Sequence, residues 1–148
     1  MNGRTVMEYD AKKKSKEGRK RLLIVDDIDE IRDAFRMVLD DYFEIQDFGG
    51  SEEALASFRS FRPDVVFLDI GIDGSSPQLQ GPDLLRIMKA ERKEAVICMV
   101  SAYEHLEKEM LEQGADGFIQ KPCGRGELID FLVAKGLINA IVDRKERW

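Results

Sequence analysis

A chain of 148 residues suffices for one domain with a proper core and is short for two. Apolar residues make up 43% and charged residues 35%, which excludes a disordered chain, and apolar runs such as Ala95 to Val100 fall far short of the roughly 20 residues a membrane helix needs. Residues 1 to 21 hold eight Lys or Arg against three Asp or Glu, and the remainder holds 15 against 26, so a basic leader precedes an acidic body that is poorly suited to direct contact with nucleic acid.

The leader, residues 1–20, carries Arg4, Glu8 and Asp10 where a secretion signal would be apolar, and the chain reads as cytoplasmic. One domain is expected over 21–135. Strands are predicted at 21–25, 43–47, 64–68, 95–100 and 117–120, separated by segments with apolar residues at three- and four-residue spacing. Ile28, Ile31, Phe35 and Val38 form the first helical stripe. Ser51 before Glu52 and Glu53 reads as the N-cap of the next helix, whose stripe is Ala54, Leu55 and Phe58. Pro63 closes that helix. Gly81-Pro82-Asp83 reads as a cap, a first-position proline and a following acid, and Gly114 as a C-terminal glycine. The polar helix Tyr103 to Gln113 carries the sole histidine, His105, which reads as an ordinary exposed side chain. Past Lys121 the last helix is expected to continue through Leu128, Leu132, Gly136 or Leu137, and Ala140 or Ile141. That makes 136–148 its extension and offers a stripe to a partner or a second copy of the chain. Cys98 and Cys123, without a C-x-x-C motif, read as free structural thiols.

Near-continuous apolar strands alternating with helices imply a parallel sheet covered on both faces, a doubly wound α/β fold. Ligand sites in such folds lie outside the carboxyl ends of the strands. Four of the five ends carry polar chemistry: Asp26 and Asp27 on the first, Asp69 on the third, Ser101 on the fourth and Lys121 on the fifth. Three converging carboxylates repel one another unless a cation is present. Oxygen ligands at that density suit Mg²⁺, which favours a phosphate partner. An aspartate can also act as a nucleophile toward phosphorus, helped by cations and donors on the phosphoryl oxygens. Asp69 is the candidate acceptor, with Lys121 and Ser101 as its helpers.

The segments LLIVDD (22–27), PDVVFLD (63–69), VSA (100–102) and GFIQKP (117–122), in that order at strand ends, resemble the receiver domain of two-component response regulators, and the chain is similar to the single-domain chemotaxis-type members. The resemblance covers about residues 20–135. It implies the flavodoxin-like strand order 2-1-3-4-5. It further implies that Asp69 accepts a phosphoryl group from a histidine kinase or phosphotransfer protein, with Mg²⁺ held by Asp27, Asp69 and the Gly71 carbonyl while Asp26 holds a metal water. Ser101 and Lys121 would each meet a phosphoryl oxygen, Phe118 stands at the switch aromatic, and the Lys121-Pro122 bond would be cis. The expected output is altered binding of a downstream protein, so the chain is not a conventional enzyme.

Two departures stand out. The turn Pro77-Gln78-Leu79-Gln80-Gly81 begins about four residues late relative to the family pattern, so the loop beside Asp69, residues 71–80, is enlarged, with Asp73-Gly74 as a turn dipeptide within it. Tyr103 is bulky where the family has its phosphoryl site close by. Three other readings remain open: an Mg²⁺-dependent hydrolase, which would want a second aspartate where Gly71 stands; a receiver-like scaffold working without phosphorylation; and a receiver segment of a longer regulator.

Overall fold

The structure, a computed structural model, describes residues 18–139. Five strands, β1 (Lys20–Val25), β2 (Phe43–Phe48), β3 (Val65–Leu68), β4 (Val96–Ser101) and β5 (Gly117–Gln120), alternate with five helices. These are α1 (Asp29–Leu39), α2 (Ser51–Phe61), α3 (Gly81–Glu91), α4 (Glu107–Glu112), entered through a 3₁₀ turn at Glu104–Leu106, and α5 (Arg125–Ala134). The strands form one parallel sheet in the order β2-β1-β3-β4-β5, as the resemblance implies.

The apolar runs are explained by burial on two sides. Side chains alternate across a pleated strand. Leu22, Ile24, Val65, Phe67, Cys98 and Val100 therefore face one cluster, with Phe35 and Leu39 of α1 and Leu128 and Leu132 of α5. Their neighbours Leu23, Val25, Val66, Leu68, Ile97 and Met99 face the other, with Ala54 and Phe58 of α2, Leu84, Leu85 and Met88 of α3, and Met110 of α4. Because the chain steps from β1 out to β2 and then returns past β1 to β3, the order in which strands are added reverses between β1 and β3. That is where open α/β sheets leave a crevice. Among the described residues no helix is long and apolar enough to cross a membrane.

Helix boundaries shift by a residue from those predicted. The N-cap of α2 is Gly50, so Ser51 is the first helical residue and its Oγ is buried without a partner. The N-cap of α3 is Gln80, which moves Pro82 to the second position, and Asp83 accepts a hydrogen bond from the Gln80 N–H at 2.8 Å. Gly114, at φ +109°, follows α4 as expected.

The last helix corrects the sequence reading. It ends at Ala134, because Gly136 takes φ +73° and the N–H groups of Leu137 and Ile138 turn back to the Leu132 carbonyl at 2.8 and 3.3 Å. This left-handed ending is the usual role of a glycine just past a helix. Leu128, Leu132 and Ile138 are buried in the chain's own core, so the expected continuous stripe does not offer a face for a second copy through them. Ala140 and Ile141, with the rest of 140–148, lie outside the described residues, as does the leader over 1–17.

Gly81 shows how tightly α3 meets the strand end. A Cβ there would stand 2.0 Å from the Asp69 carbonyl oxygen and 2.7 Å from Ile70 Cα. Since both clashes are with backbone, Gly81→Ala is expected to cost about 1–3 kcal/mol, read as a lower urea midpoint with an unchanged slope.

Candidate functional site

The register of the sheet brings the polar strand ends together. The Asp69 N–H donates to the Val25 carbonyl at 2.9 Å and the Asp26 N–H to the Phe48 carbonyl at 3.2 Å, so the ladders of β1, β2 and β3 run one step past the strands and carry the aspartates with them. Asp26, Asp27 and Asp69 each present an oxygen within 4.8 Å of the others. Lys121 reaches in from the end of β5, its Nζ 2.6 Å from Asp26 Oδ2 and 3.3 Å from Asp69 Oδ2. Residues 95 apart in sequence share one ion pair.

Each carboxylate has a defined mooring. Asp26 is buried and accepts from the Ile28 N–H at 3.0 Å as well as from Lys121. Asp69, 8% exposed, accepts from the Ile70 N–H at 2.8 Å. Asp27 Oδ2 accepts from the Asp73 N–H at 3.1 Å.

The electrostatics follow from three acids meeting one base. Burial, then the charge of Asp26, pushes the Asp69 carboxyl up to about 6, with Lys121 pulling the other way. Burial disfavours the Lys121 ammonium, but its hydrogen bond to Asp26 and the negative charges of Asp69 and Asp26 outweigh that, and its pKa stands above the ordinary value. The carboxylates offer hard oxygen donors in excess of the positive charge available, a set that fits a divalent cation such as Mg²⁺.

Ser101 is fully buried at the end of β4 and its Oγ accepts from the Tyr103 N–H at 3.0 Å, a local turn that leaves the hydroxyl proton free to be donated elsewhere. Phe118 is half-buried on β5 against the cluster that holds α2, α3 and α4. Gly71 is exposed just past Ile70. The Lys121–Pro122 peptide is cis. Tyr103 is 52% exposed, its ring edge-on to that of His105 at a centroid distance of 6.1 Å.

Two supporting residues were not singled out from sequence. Arg32 of α1 donates to the Asp26 carbonyl at 2.6 Å and to Asp47 of β2 at 2.9 Å, and it also pairs with Asp29. It locks the helix and two strands around the acidic pair. Gln80 holds the enlarged loop. Its Oε1 accepts from the Ile72 N–H at 2.7 Å and its Nε2 donates to the carbonyls of Ile72 and Ser76 at 3.2 and 3.1 Å. An arginine five residues past the acidic pair is the signal the sequence offers for the first, and it offers none for the second.

The family model for the response regulator receiver domain matches residues 22–133. The chain is 33% identical over 111 residues to the nitrogen assimilation regulatory protein NtrX of Azorhizobium caulinodans, a match covering 73% of this chain and 24% of that one. It is 30% identical over 114 residues to the chemotaxis protein CheY of Halobacterium salinarum, covering 75% and 92%. Among solved structures, a complex of CheX, CheY, BeF₃ and Mg²⁺ from Borrelia burgdorferi superposes with a TM-score of 0.70 at 28% identity, covering 79% of this chain and 89% of that one. The chain thus spans most of the CheY length and about a quarter of NtrX.

The raised Asp69 pKa gives a signed pH dependence. Between its ordinary value of 3.8 and about 6, the folded state binds a proton the unfolded state has lost, so stability falls as pH rises through that window and the penalty is complete above it. Asp69→Asn removes the penalty. Without divalent cations it is expected to be about 1–2 kcal/mol more stable than wild type at pH 7.5, with the difference vanishing by pH 4, as measured by urea unfolding in chelator.

Proposed function

The chain belongs to the response regulator receiver family, and from that premise we propose that it is a phosphorylation-controlled switch in which Asp69 takes a phosphoryl group from the phosphohistidine of a histidine kinase or phosphotransfer protein. The observation that carries this is the position of Lys121 Nζ, 2.6 Å from Asp26 and 3.3 Å from Asp69, at the meeting point of three carboxylates.

In the reaction an Asp69 oxygen attacks phosphorus in line, the P–N bond breaks, and the donor imidazole, protonated on its other nitrogen, leaves as a neutral ring. Mg²⁺ held by Asp27, Asp69 and the Gly71 carbonyl, with Asp26 on a bound water, would supply the positive charge that phosphoryl transfer needs. Lys121 meets one phosphoryl oxygen by the same ammonium that now reaches Asp69. Its raised pKa keeps it charged. Ser101 turns its hydroxyl to another oxygen and gives up the bond it now accepts from the Tyr103 N–H.

That exchange is how the charge is read out. Phosphorylation adds about −1.5 to −2 charge at Asp69. Drawing Ser101 inward shifts the segment after β4, and Phe118, half-buried on the neighbouring strand, repacks beside it. A downstream protein then reads the altered surface around α4. The acidic body supports a protein rather than nucleic acid as that partner. A groove of about 380 Å³ between Ile31, Ala34 and Phe35 of α1 and Pro122 and Cys123 opens beside Lys121, an apolar seat next to the acceptor for the phosphodonor. The chain works in the cytoplasm, where such kinases deliver their phosphoryl groups, and it acts on itself rather than as a conventional enzyme. The 24% span of NtrX supports a second setting for the same chemistry, as the receiver segment of a longer regulator.

With acetyl phosphate and Mg²⁺ the protein is expected to gain one acid-labile phosphate by intact mass, with Asp69→Asn gaining none and Lys121→Met reacting about a hundredfold more slowly. A scaffold that works without phosphorylation would gain none in any variant.

Tyr103 is proposed to shield the aspartyl-phosphate from water once its segment moves inward. Tyr103→Ala should shorten the phosphate half-life severalfold after donor removal; an unchanged half-life defeats this role.

A further inference from the structure

Of the three carboxylates, Asp27 is held differently. Asp26 and Asp69 are each moored by a neighbouring backbone N–H and by Lys121. Among the described residues the hydrogen bond to Asp27 comes instead from across the crevice, from the Asp73 N–H in the enlarged loop. Where the Asp27 side chain points is therefore tied to where that loop sits.

The loop is built rather than draped. The Gln80 amide pairs with both the N–H and the C=O of Ile72, at 2.7 and 3.2 Å, as a neighbouring strand would, and reaches the Ser76 carbonyl at 3.1 Å. Only one orientation of the amide satisfies these partners. The Ile72 side chain is 1% exposed in the core beneath, and Ser75 Oγ accepts from the Ser51 N–H at the start of α2. The turn from Ile72 to Ser75, with Gly74 at φ +82° and the Ser75 N–H on the Ile72 carbonyl, then aims the Asp73 N–H at Asp27 Oδ2. That leaves Oδ1 without a hydrogen bond from the described residues.

We propose that Gln80 is a positioning residue for the cation site: by clamping Ile72 it sets the Asp73 N–H on one oxygen of Asp27 and holds the carboxylate facing Asp26 and Asp69. The inference rests on the reading of this pocket as an Mg²⁺ site and assigns part of its affinity to a residue of the enlarged loop that touches no cation itself. Groups that orient metal ligands in this way typically carry about 10- to 100-fold in affinity.

The test uses the full chain and Mg²⁺ alone, titrated by calorimetry, together with the Asp73 amide resonance in metal-free protein. Gln80→Ala is expected to weaken Mg²⁺ binding about tenfold and to move the Asp73 amide proton upfield, as Asp27→Asn does when the charged acceptor is removed. The melting midpoint should fall by only a few degrees. Asp73→Pro, which deletes the donor without touching Gln80, should weaken Mg²⁺ to a similar extent and covers the case in which Gln80→Ala fails to fold. If wild type binds Mg²⁺ and both variants bind it equally well, or if the Asp73 resonance ignores both Gln80→Ala and Asp27→Asn, the role of Gln80 is overturned while the pocket stands. If wild type itself shows no affinity for Mg²⁺, the pocket reading falls and this proposal with it.

Discussion

One ammonium among three carboxylates governs this crevice. Lys121 lies within hydrogen-bond reach of Asp26 and close to Asp69, and without it the buried acids would face one another with nothing between them. Burial first, and then the charge of Asp26, hold the Asp69 carboxyl above its ordinary pKa despite the pull of Lys121, while Lys121 itself is held firmly charged. That deficit of positive charge is a property the sequence maintains at a cost in stability. It is also what would make the place receptive to the divalent cation and the phosphoryl group proposed for it. A site fully neutralised by its own lysines would be more stable and would have little reason to take up either.

The sheet is the instrument that holds such a strained group together. Like charges are kept near each other because backbone ladders fix the strand ends: Asp69 is bonded to Val25 and Asp26 to Phe48, so neither aspartate can retreat without breaking the ladders that the two apolar clusters stabilise. Gly81 extends the argument to the helix side, since its missing side chain lets α3 press directly on the Asp69 carbonyl. Arg32 closes the other flank through the Asp26 carbonyl. The acids are displayed by main chain, whereas Lys121 and Ser101 reach the crevice by their side chains from the ends of β5 and β4.

The architecture was legible in the sequence because it depends on burial, which leaves a pattern. Runs such as LLIV and VVFL, apolar at every position, mean a strand covered twice, and polar residues directly after four of the five runs mark the functional edge. Helix starts were read one residue off at Ser51 and Gly81 because serine and glycine are acceptable both at the cap and just inside it. The last helix was read too long for a related reason. The spacing of Leu128, Leu132 and Leu137 continues the helical period, but Leu137 reaches the core by a left-handed turn at Gly136, and periodicity alone does not separate a helix from a chain that folds back. The mooring of Asp27 was invisible because it is made by a backbone N–H and a side-chain amide, groups that carry no compositional signal.

The enlarged loop shows what that blind spot conceals. Added residues ordinarily raise the entropy of a loop. Here the added length is folded into a small structure of its own, with Ile72 as a buried peg, Ser75 tied to α2 and the Gln80 amide standing in for a strand. Fixing those residues costs entropy that the peg and the paired polar groups offset, so the loop can present a backbone donor to Asp27. Under the proposed switch, charge arriving at Asp69 would be flanked by this loop and Gly81 on the β3 side and by Ser101 and Phe118 on the side of β4 and β5.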